Sequence, residues 1–372
     1  MKTRNHNRII ISGGGTGGHI FPAISIANAI RMKDPEAEIL FVGALGRMEM
    51  EKVPAEGYKI TGLPIAGLRR DKSVSGIMAN LVLPVRLLKS VLAAGRIVKD
   101  FNPTVAVGVG GYASGPLLWI ARKKKIPYIL QEQNSFAGKT NKMLARGAAY
   151  ICVAYSGMEQ FFPADRTVLT GNPIREGIHP ATAQEKKEAL LHFGLDPGKK
   201  TLLVTGGSLG AGTLNRCVRE YLPRTREHPV QILWQCGKHG MRLAAESLKE
   251  YPGVPVHAHE FIARMDLAYA AADLVVSRAG AGSISEFCAA GKACIFVPSP
   301  NVAENHQTHN AMALVKELAG RLVTDKDAPA ILMENAMELI FNDSELKRLS
   351  ENIEKLSRPH AAAHIASMVL EL

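Results

Sequence analysis

The sequence predicts an α/β protein made of two doubly wound parallel-sheet domains in tandem. Three observations carry this. At 372 residues the chain is too long for one typical domain and comfortable as two. Short, continuously apolar runs alternate with helical stretches, the pattern of strands covered on both faces. Each half also opens alike, with an apolar strand, a glycine-rich turn and a helix, at Ile9–Gly18 and again at Leu202–Gly212.

In chain order, Arg8–Ser12 reads as a strand, Phe21–Met32 as an amphipathic helix and Glu38–Val42 as a second strand. Pro103–Val109, Pro127–Leu130 and Ile151–Val153 repeat the strand pattern with helices between them. Gly171–Pro180 holds two prolines and two glycines and reads as the linker. Beyond it the pattern restarts with Thr201–Val204, Gln231–Gln235, Val254–His257, Asp273–Val276 and Cys294–Val297. A ligand is then expected in the cleft between the domains, at the carboxyl ends of the strands.

A content of 47% hydrophobic and 21% charged residues with 34 glycines excludes a disordered chain, a coiled coil and collagen. The apolar run Val105–Ala121 is interrupted by Gly108, Gly110, Gly111, Gly115 and Pro116, so no membrane span is expected. The first residues lack the apolar core of a secretion signal. Five cysteines with no C-x-x-C pair point to reduced, core-filling thiols and a cytoplasmic protein. Charge divides unevenly: residues 1–180 hold 24 Lys and Arg against 12 Asp and Glu, residues 181–372 hold 21 against 22. One basic half suggests that only the first domain meets something anionic, a membrane surface or a phosphorylated substrate, and not nucleic acid.

Gly13–Gly18 fits G-x-G-x-x-G, but the second strand runs into Gly43-Ala44-Leu45 without the acidic residue a dinucleotide ribose needs. Gly138-Lys139-Thr140 is no P-loop, because Gln133 stands where the first glycine belongs. Asp325-Lys326-Asp327 is formally D-x-D, yet it precedes a helix and reads as a cap. The pairs His257/His259, His306/His309 and His360/His364 lack the spacing or company of a metal site, so no metal and no cofactor are expected. Ser277–Glu286 follows a strand and opens a helix, whose exposed N–H groups suit a diphosphate. Glu286, read as a first-turn residue, would receive a ribose hydroxyl pair or complement the helix dipole. The amides and imidazoles of Pro298–Ala311 suit a polyol. Ile77–Val85, with Arg69, Arg70 and Lys72 before it and Arg86, Lys89 and Lys123–Lys125 after it, reads in two ways. It is an apolar membrane-contact patch rimmed by cations, or a helix buried in the first domain and kinked at Pro84.

Several of these stretches occur together and in order: GGGTGGH at Gly13–His19 with Phe21-Pro22-Ala23, VGGYASGP at Val109–Pro116, QEQN at Gln131–Asn134, GNPIR at Gly171–Arg175, the loop at Ser208, and Ser277-Arg278-Ala279-Gly280-Ala281 through Gln307 to Asn310-Ala311. In this the chain resembles the MurG family of peptidoglycan N-acetylglucosaminyltransferases over essentially its whole length. Leu209 departs from the family's usual glutamine, and His306 from a second glutamine found in some members.

The resemblance implies a glycosyltransferase B-type fold, two Rossmann-like domains facing a cleft, with bounds expected at 1–174 and 175–357 and a helix in 358–372 packing back on the first. It implies UDP-N-acetylglucosamine as donor, lipid I (undecaprenyl-diphospho-muramoyl-pentapeptide) as acceptor, inversion at the anomeric carbon, and a peripheral place on the cytoplasmic face of the plasma membrane. Donor contacts are implied at Thr16, Gly17, Gly18, Asn134, Arg175, Ser208, Ile262, Ala281, Gly282, Ser283, Ile284, Ser285, Glu286 and Gln307. The Ile262 backbone would read uracil, and a helix N-terminus would meet the charge developing on UDP in place of a metal. His19 is the candidate base for the acceptor hydroxyl. Two other readings fit two such domains: a UDP-N-acetylglucosamine 2-epimerase-like enzyme, and a nucleotide-sugar-binding module without catalysis.

Overall fold

The computed structural model describes residues 7–15, 17–67, 78, 80–207 and 209–372. They form two compact units, Met1–Arg175 with Pro359–Leu372, and Glu176–Arg358.

The first unit is built on seven parallel strands: β1 (Arg8–Ser12), β2 (Glu38–Ala44), β3 (Lys59–Leu63), β4 (Val105–Gly108), β5 (Tyr128–Glu132), β6 (Tyr150–Val153) and β7 (Thr167–Leu169). Their order is β3-β2-β1-β4-β5-β6-β7, so the sheet grows in opposite directions on either side of β1 and β4. The three isoleucines of β1 explain its central place. Ile9 and Ile11 pack with the helix Gly17–Lys33 on one face, and Ile10 packs with Leu117 and Leu118 on the other. Neither face meets water, which is why the strand reads as an unbroken apolar run. The helix Ala361–Leu370 closes the unit, adding Ile365, Ala366, Met368 and Val369 to the cluster of Gly17–Lys33.

The second unit repeats the plan with six strands: β8 (Lys200–Thr205), β9 (Val230–Gln235), β10 (Val256–His259), β11 (Leu274–Ser277), β12 (Cys294–Phe296) and β13 (Arg321–Leu322). The order β10-β9-β8-β11-β12-β13 puts the change of direction between β8 and β11. On β9 Trp234 is fully buried, its indole N–H donating to Asn215 Oδ1 at 3.0 Å. All five cysteines are free and buried, and burial pushes the Cys152 and Cys288 thiols up to about 12.

Three local readings shift. The first helix begins at Gly17, four residues before the expected Phe21, so Gly18 and His19 belong to its first turn and not to the loop. β10 lies two residues later than expected, at Val256–His259. The strands β3 and β7 went unread, because both are short sheet edges with half-exposed residues and so lack an unbroken apolar run.

Candidate functional site

In the first unit the turns after β1 and β4 lie side by side at the carboxyl edge of the sheet. Their contact is backbone to backbone. A Cβ on Gly111, whose φ is +79°, would fall 2.4 Å from the Gly14 carbonyl oxygen. A Cβ on Gly110, at φ +86°, would fall 3.0 Å from His19 Cδ2. The half-buried imidazole of His19 therefore rests on the second glycine turn. Ser114 Oγ joins the two turns, lying 2.9 Å from the Ser12 carbonyl and 2.7 Å from that of Gly110. Pro22 has no N–H, which leaves the Gly18 carbonyl without its intrahelical donor at the mouth of the loop.

Beneath the first turn sits a carboxylate. Glu49 opens the helix Glu49–Ala55 and is fully buried. Gly15 N–H donates to both of its oxygens at 3.2 Å, and Ala44 N–H donates to Oε1 at 3.0 Å. At the end of β5, Glu132 is 2% exposed and plays a similar part. It accepts from Asn134 N–H (3.1 Å), Gly138 N–H (2.9 Å) and Asn141 Nδ2 (2.8 Å). Gln131 Nε2 donates to Asn172 Oδ1 at 2.9 Å, and Asn172 Nδ2 to the Gln133 carbonyl at 3.0 Å. The QEQN and GNPIR stretches thus form one buried polar network that orders Asn134. Arg175 follows it, exposed, its guanidinium 5.6 Å from the Phe21 ring centroid.

In the second unit the loop after β8 folds against the end of β9, where a Cβ on Gly210 would come 2.0 Å from the Cys236 carbonyl. Gln235 links the ends of β8 and β9 to the loop after β10, donating to Thr205 Oγ1 at 3.2 Å and accepting from Ile262 N–H at 2.9 Å. This narrows the reading of Ile262. Its N–H is already committed to Gln235, so a reading of uracil by the Ile262 backbone would rest on the carbonyl.

The helix Ala281–Ala289 follows β11, with Gly280 as its N-cap and no side-chain cap bond. Its first N–H groups are therefore not taken by a cap. A Cβ on Gly282 would meet nothing within 4 Å, so the backbone there borders open space. Ser283 and Ser285 are half-buried, while Ala281 and Ile284 are core residues that offer only backbone. Glu286 is the helix's sixth residue, one turn deeper than expected, and this removes the reading of it as a first-turn dipole partner. It is 8% exposed and accepts from Tyr269 Oη at 2.7 Å.

Arg278 anchors the loop before this helix, donating to the Val297 and Pro298 carbonyls at 2.9 and 3.2 Å and pairing with Asp325 at 2.5 Å. Asp325 is thus engaged within the fold, and Asp327 stands at the N-cap of Ala328–Ile340 without a side-chain cap bond. Gln307 lies in the first turn of the helix after β12, its Oε1 accepting from Ser299 N–H at 2.8 Å.

The structure gathers Ile262, Ala281–Glu286 and Gln307 at the carboxyl edge of the second sheet, and Gly17, Gly18, His19, Asn134 and Arg175 at that of the first. Thr16 and Ser208 lie outside the described residues. Sequence reasoning missed Glu49, Gln235 and Tyr269, which carry no motif and meet their partners only through the fold. It passed over Glu132 and Arg278 inside motifs it had quoted.

On the exposed side of the first unit, Leu81, Val85, Leu88 and Leu92 are 68%, 53%, 61% and 58% exposed, beside Arg86 and Lys89. Pro84 takes the second position of the helix Leu83–Phe101, just past the turn residue Val82 that separates this helix from the helical residues 80 and 81. With these side chains exposed, the buried reading fails, while the break in the helix falls beside Pro84. Ile77, Arg69, Arg70 and Lys72 lie outside the described residues. A cavity of about 300 Å³ also opens in the second unit beside Pro298, Thr308 and Asp325. Among the described residues, no helix is long and apolar enough to cross a membrane.

Residues 9–153 match the model of the glycosyltransferase family 28 N-terminal domain, and residues 201–365 that of the family's C-terminal domain. A protein of Parabacteroides distasonis, named UDP-N-acetylglucosamine–N-acetylmuramyl-(pentapeptide) pyrophosphoryl-undecaprenol N-acetylglucosamine transferase, is 54% identical over 98% of both chains. A Phocaeicola vulgatus protein of the same name is 53% identical over 98% of this chain and 96% of its own. Among solved structures, MurG of Acinetobacter baumannii superposes with a TM-score of 0.78 at 26% identity, covering 98% of this chain and 100% of that one. A UDP-N-acetylglucosamine 2-epimerase superposes at 0.64 with 14% identity, covering 99% and 96%, a likeness of fold alone.

Proposed function

Because the chain belongs to glycosyltransferase family 28 in both halves, we propose that it transfers N-acetylglucosamine from UDP-N-acetylglucosamine to N-acetylmuramyl-(pentapeptide) pyrophosphoryl-undecaprenol, the reaction its relatives are named for. The single observation that carries the reading into chemistry is the start of the helix Ala281–Ala289. Its N–H groups carry no side-chain cap and the backbone borders open space at Gly282, with the buried Glu286 one turn further. A diphosphate seated on that terminus is stabilised by N–H donors and the helix dipole, and the charge that grows on UDP as the glycosidic bond breaks is met there. Glu286 takes the ribose hydroxyls, Gln307 the sugar, and the Ile262 carbonyl the uracil N3–H.

The acceptor's 4-hydroxyl attacks the anomeric carbon from the face opposite UDP, so configuration inverts. His19 accepts the proton as the new bond forms. Arg175, Asn134, Gly17 and Gly18 complete the donor contacts. The exposed leucines and cations near Leu83–Phe101 support a peripheral contact with an anionic membrane, on the cytoplasmic face of the plasma membrane, where the acceptor's lipid tail is held.

The full chain incubated with labelled UDP-N-acetylglucosamine and an acceptor-lipid analogue tests this. Label entering the lipid fraction is expected. A free sugar isomer would mark an epimerase, and tight binding without turnover a non-catalytic module.

A further inference from the structure

We propose that Glu49 is a positioning residue for the transfer: its carboxylate fills the anion seat of the first glycine-rich loop, and thereby sets the place from which His19 acts. A glycine-rich turn between a strand and a helix ordinarily presents its N–H groups to a ligand phosphate. In this chain the seat is taken from within. Both carboxylate oxygens accept from Gly15 N–H at 3.2 Å, and Oε1 also accepts from Ala44 N–H at 3.0 Å, in a fully buried place.

Two glycines make room for this carboxylate. A Cβ on Gly14 would fall 2.2 Å from Glu49 Oε1, and one on Gly43 would fall 2.6 Å from Glu49 Cγ. The chain of contacts then runs outward. Gly14 presents its carbonyl to Gly111, and the neighbouring Gly110 meets the His19 ring. Tyr112 rests on Gly15 from above, where a Cβ would lie 3.0 Å from its ring. With its N–H engaged by Glu49, Gly15 is ordered before any substrate arrives, and the loop acts as a preformed platform for the imidazole. Glu49 itself, buried below the loop, acts on the reacting groups only through that platform.

The assay rests on the transferase reading above. In Glu49→Gln the carboxamide presents an N–H pair to the N–H donors of Gly15 and Ala44, so transfer turnover should fall about 10–100-fold. UDP affinity by titration should fall clearly less than turnover does, since the groups of the second unit that take the diphosphate, ribose and uracil are untouched and only the first-unit contacts at Gly17 and Gly18 lie next to the loop. In Glu49→Ala, formate should restore part of the turnover and chloride at equal ionic strength should not, because only a carboxylate fits the vacated seat. Should these variants fail to fold, Gly14→Ala displaces the carboxylate by a single methyl and should give the same split. Wild-type turnover in Glu49→Gln or Gly14→Ala, a parallel loss of UDP affinity, or equal rescue by chloride overturns the proposal. Amide exchange separates this from the functional reading. Gly15 N–H should be protected in the wild type and exposed in Glu49→Gln even if no substrate is turned over, and equal protection in both refutes the seat.

Discussion

Tyr269 donates its phenolic proton to Glu286 Oε2 at 2.7 Å, and the two side chains are 3% and 8% exposed. The bond fixes the rotamer of the one carboxylate that lies beyond the helix start Gly280–Ser283. The Tyr269 ring is held in turn edge-on to Phe287, with centroids 5.5 Å apart. A carboxylate held this way receives two vicinal hydroxyls without first losing rotamer freedom.

Glu286→Ala should therefore raise the donor KM about 10–100-fold, the equivalent of about 1.5–3 kcal/mol for hydrogen bonds to a charged group. Tyr269→Phe keeps the carboxylate and loosens it, so a smaller rise, about threefold to tenfold, is expected. Donor kinetics and UDP titration check both. UDP binding unchanged in Glu286→Ala would remove the ribose role.

Arg278 ties the loop before the same helix to the ends of β12 and β13. Arg278→Met leaves two carbonyls without their donor and Asp325 without its cation. With side chains 15% and 24% exposed, the pair is not fully desolvated, so the loss should be about 2 kcal/mol, below the range for a fully buried pair. Thermal melting should show a drop of about 4–8 °C, and a double-mutant cycle with Asp325→Asn should show the two residues coupled. An additive cycle would mean that the pair holds nothing together.

The architecture was legible because β1 and β8 are buried on both faces and each is followed by glycines, so strand, turn and helix start could be read directly from residue types. What stayed hidden depends on distance along the chain. Glu49 lies 34 residues from Gly15 and Glu286 lies 17 from Tyr269, and nothing in either local sequence marks the pairing. The depth of Glu286 was misread for a different reason. Gly280 and Gly282 look like loop residues, yet the helix begins between them at Ala281. Gly17 and Gly18 misled in the same way at the first helix, because glycine's low helix propensity gives no hint that packing will hold it helical.

The buried thiols predict an alkaline limit. Burial raises Cys152 and Cys288 to about 12 and Cys217 to about 11, against an ordinary 9.0. The folded chain keeps these protons where the unfolded chain releases them. Their contribution to stability is thus present below pH 9 and lost as pH rises from 9 through 11 to 12. Lys292, lowered to about 8 by burial, works against this between 8 and 10.5 and is outnumbered. Urea midpoints should fall above pH 9, and a thiol reagent at pH 8 should modify the cysteines only as the chain unfolds. Rapid labelling of the native chain would refute this.

The exposed leucines and cations near Leu83–Phe101 predict selective membrane association. Leu88→Asp should abolish flotation with vesicles, because it puts a charge in the apolar face. Arg86→Ala with Lys89→Ala should weaken binding to anionic vesicles and leave neutral ones unaffected, each cation contributing about 1 kcal/mol at such a surface. Equal wild-type binding to both vesicle types would remove the electrostatic part of the contact.

His19 carries the last prediction. Direct displacement needs a base at the acceptor hydroxyl, and an imidazole titrates near working pH. The ring sits half-buried in the first turn of Gly17–Lys33, backed by Gly110, with Gln133 Oε1 near the same face of that glycine, 3.6 Å from where a Cβ would lie. Such a setting limits how the ring can move, as a base aimed at one atom requires. His19→Ala should lower kcat about 10²–10⁴-fold while UDP affinity changes little. His19→Gln keeps a hydrogen-bonding group without a titrating one, so it should be as slow as the alanine variant if the role is proton transfer. If His19→Gln instead regains most of the rate, the residue only holds the acceptor. A parallel collapse of UDP binding in His19→Ala would place it with the donor contacts, and the base would then have to be sought on another element.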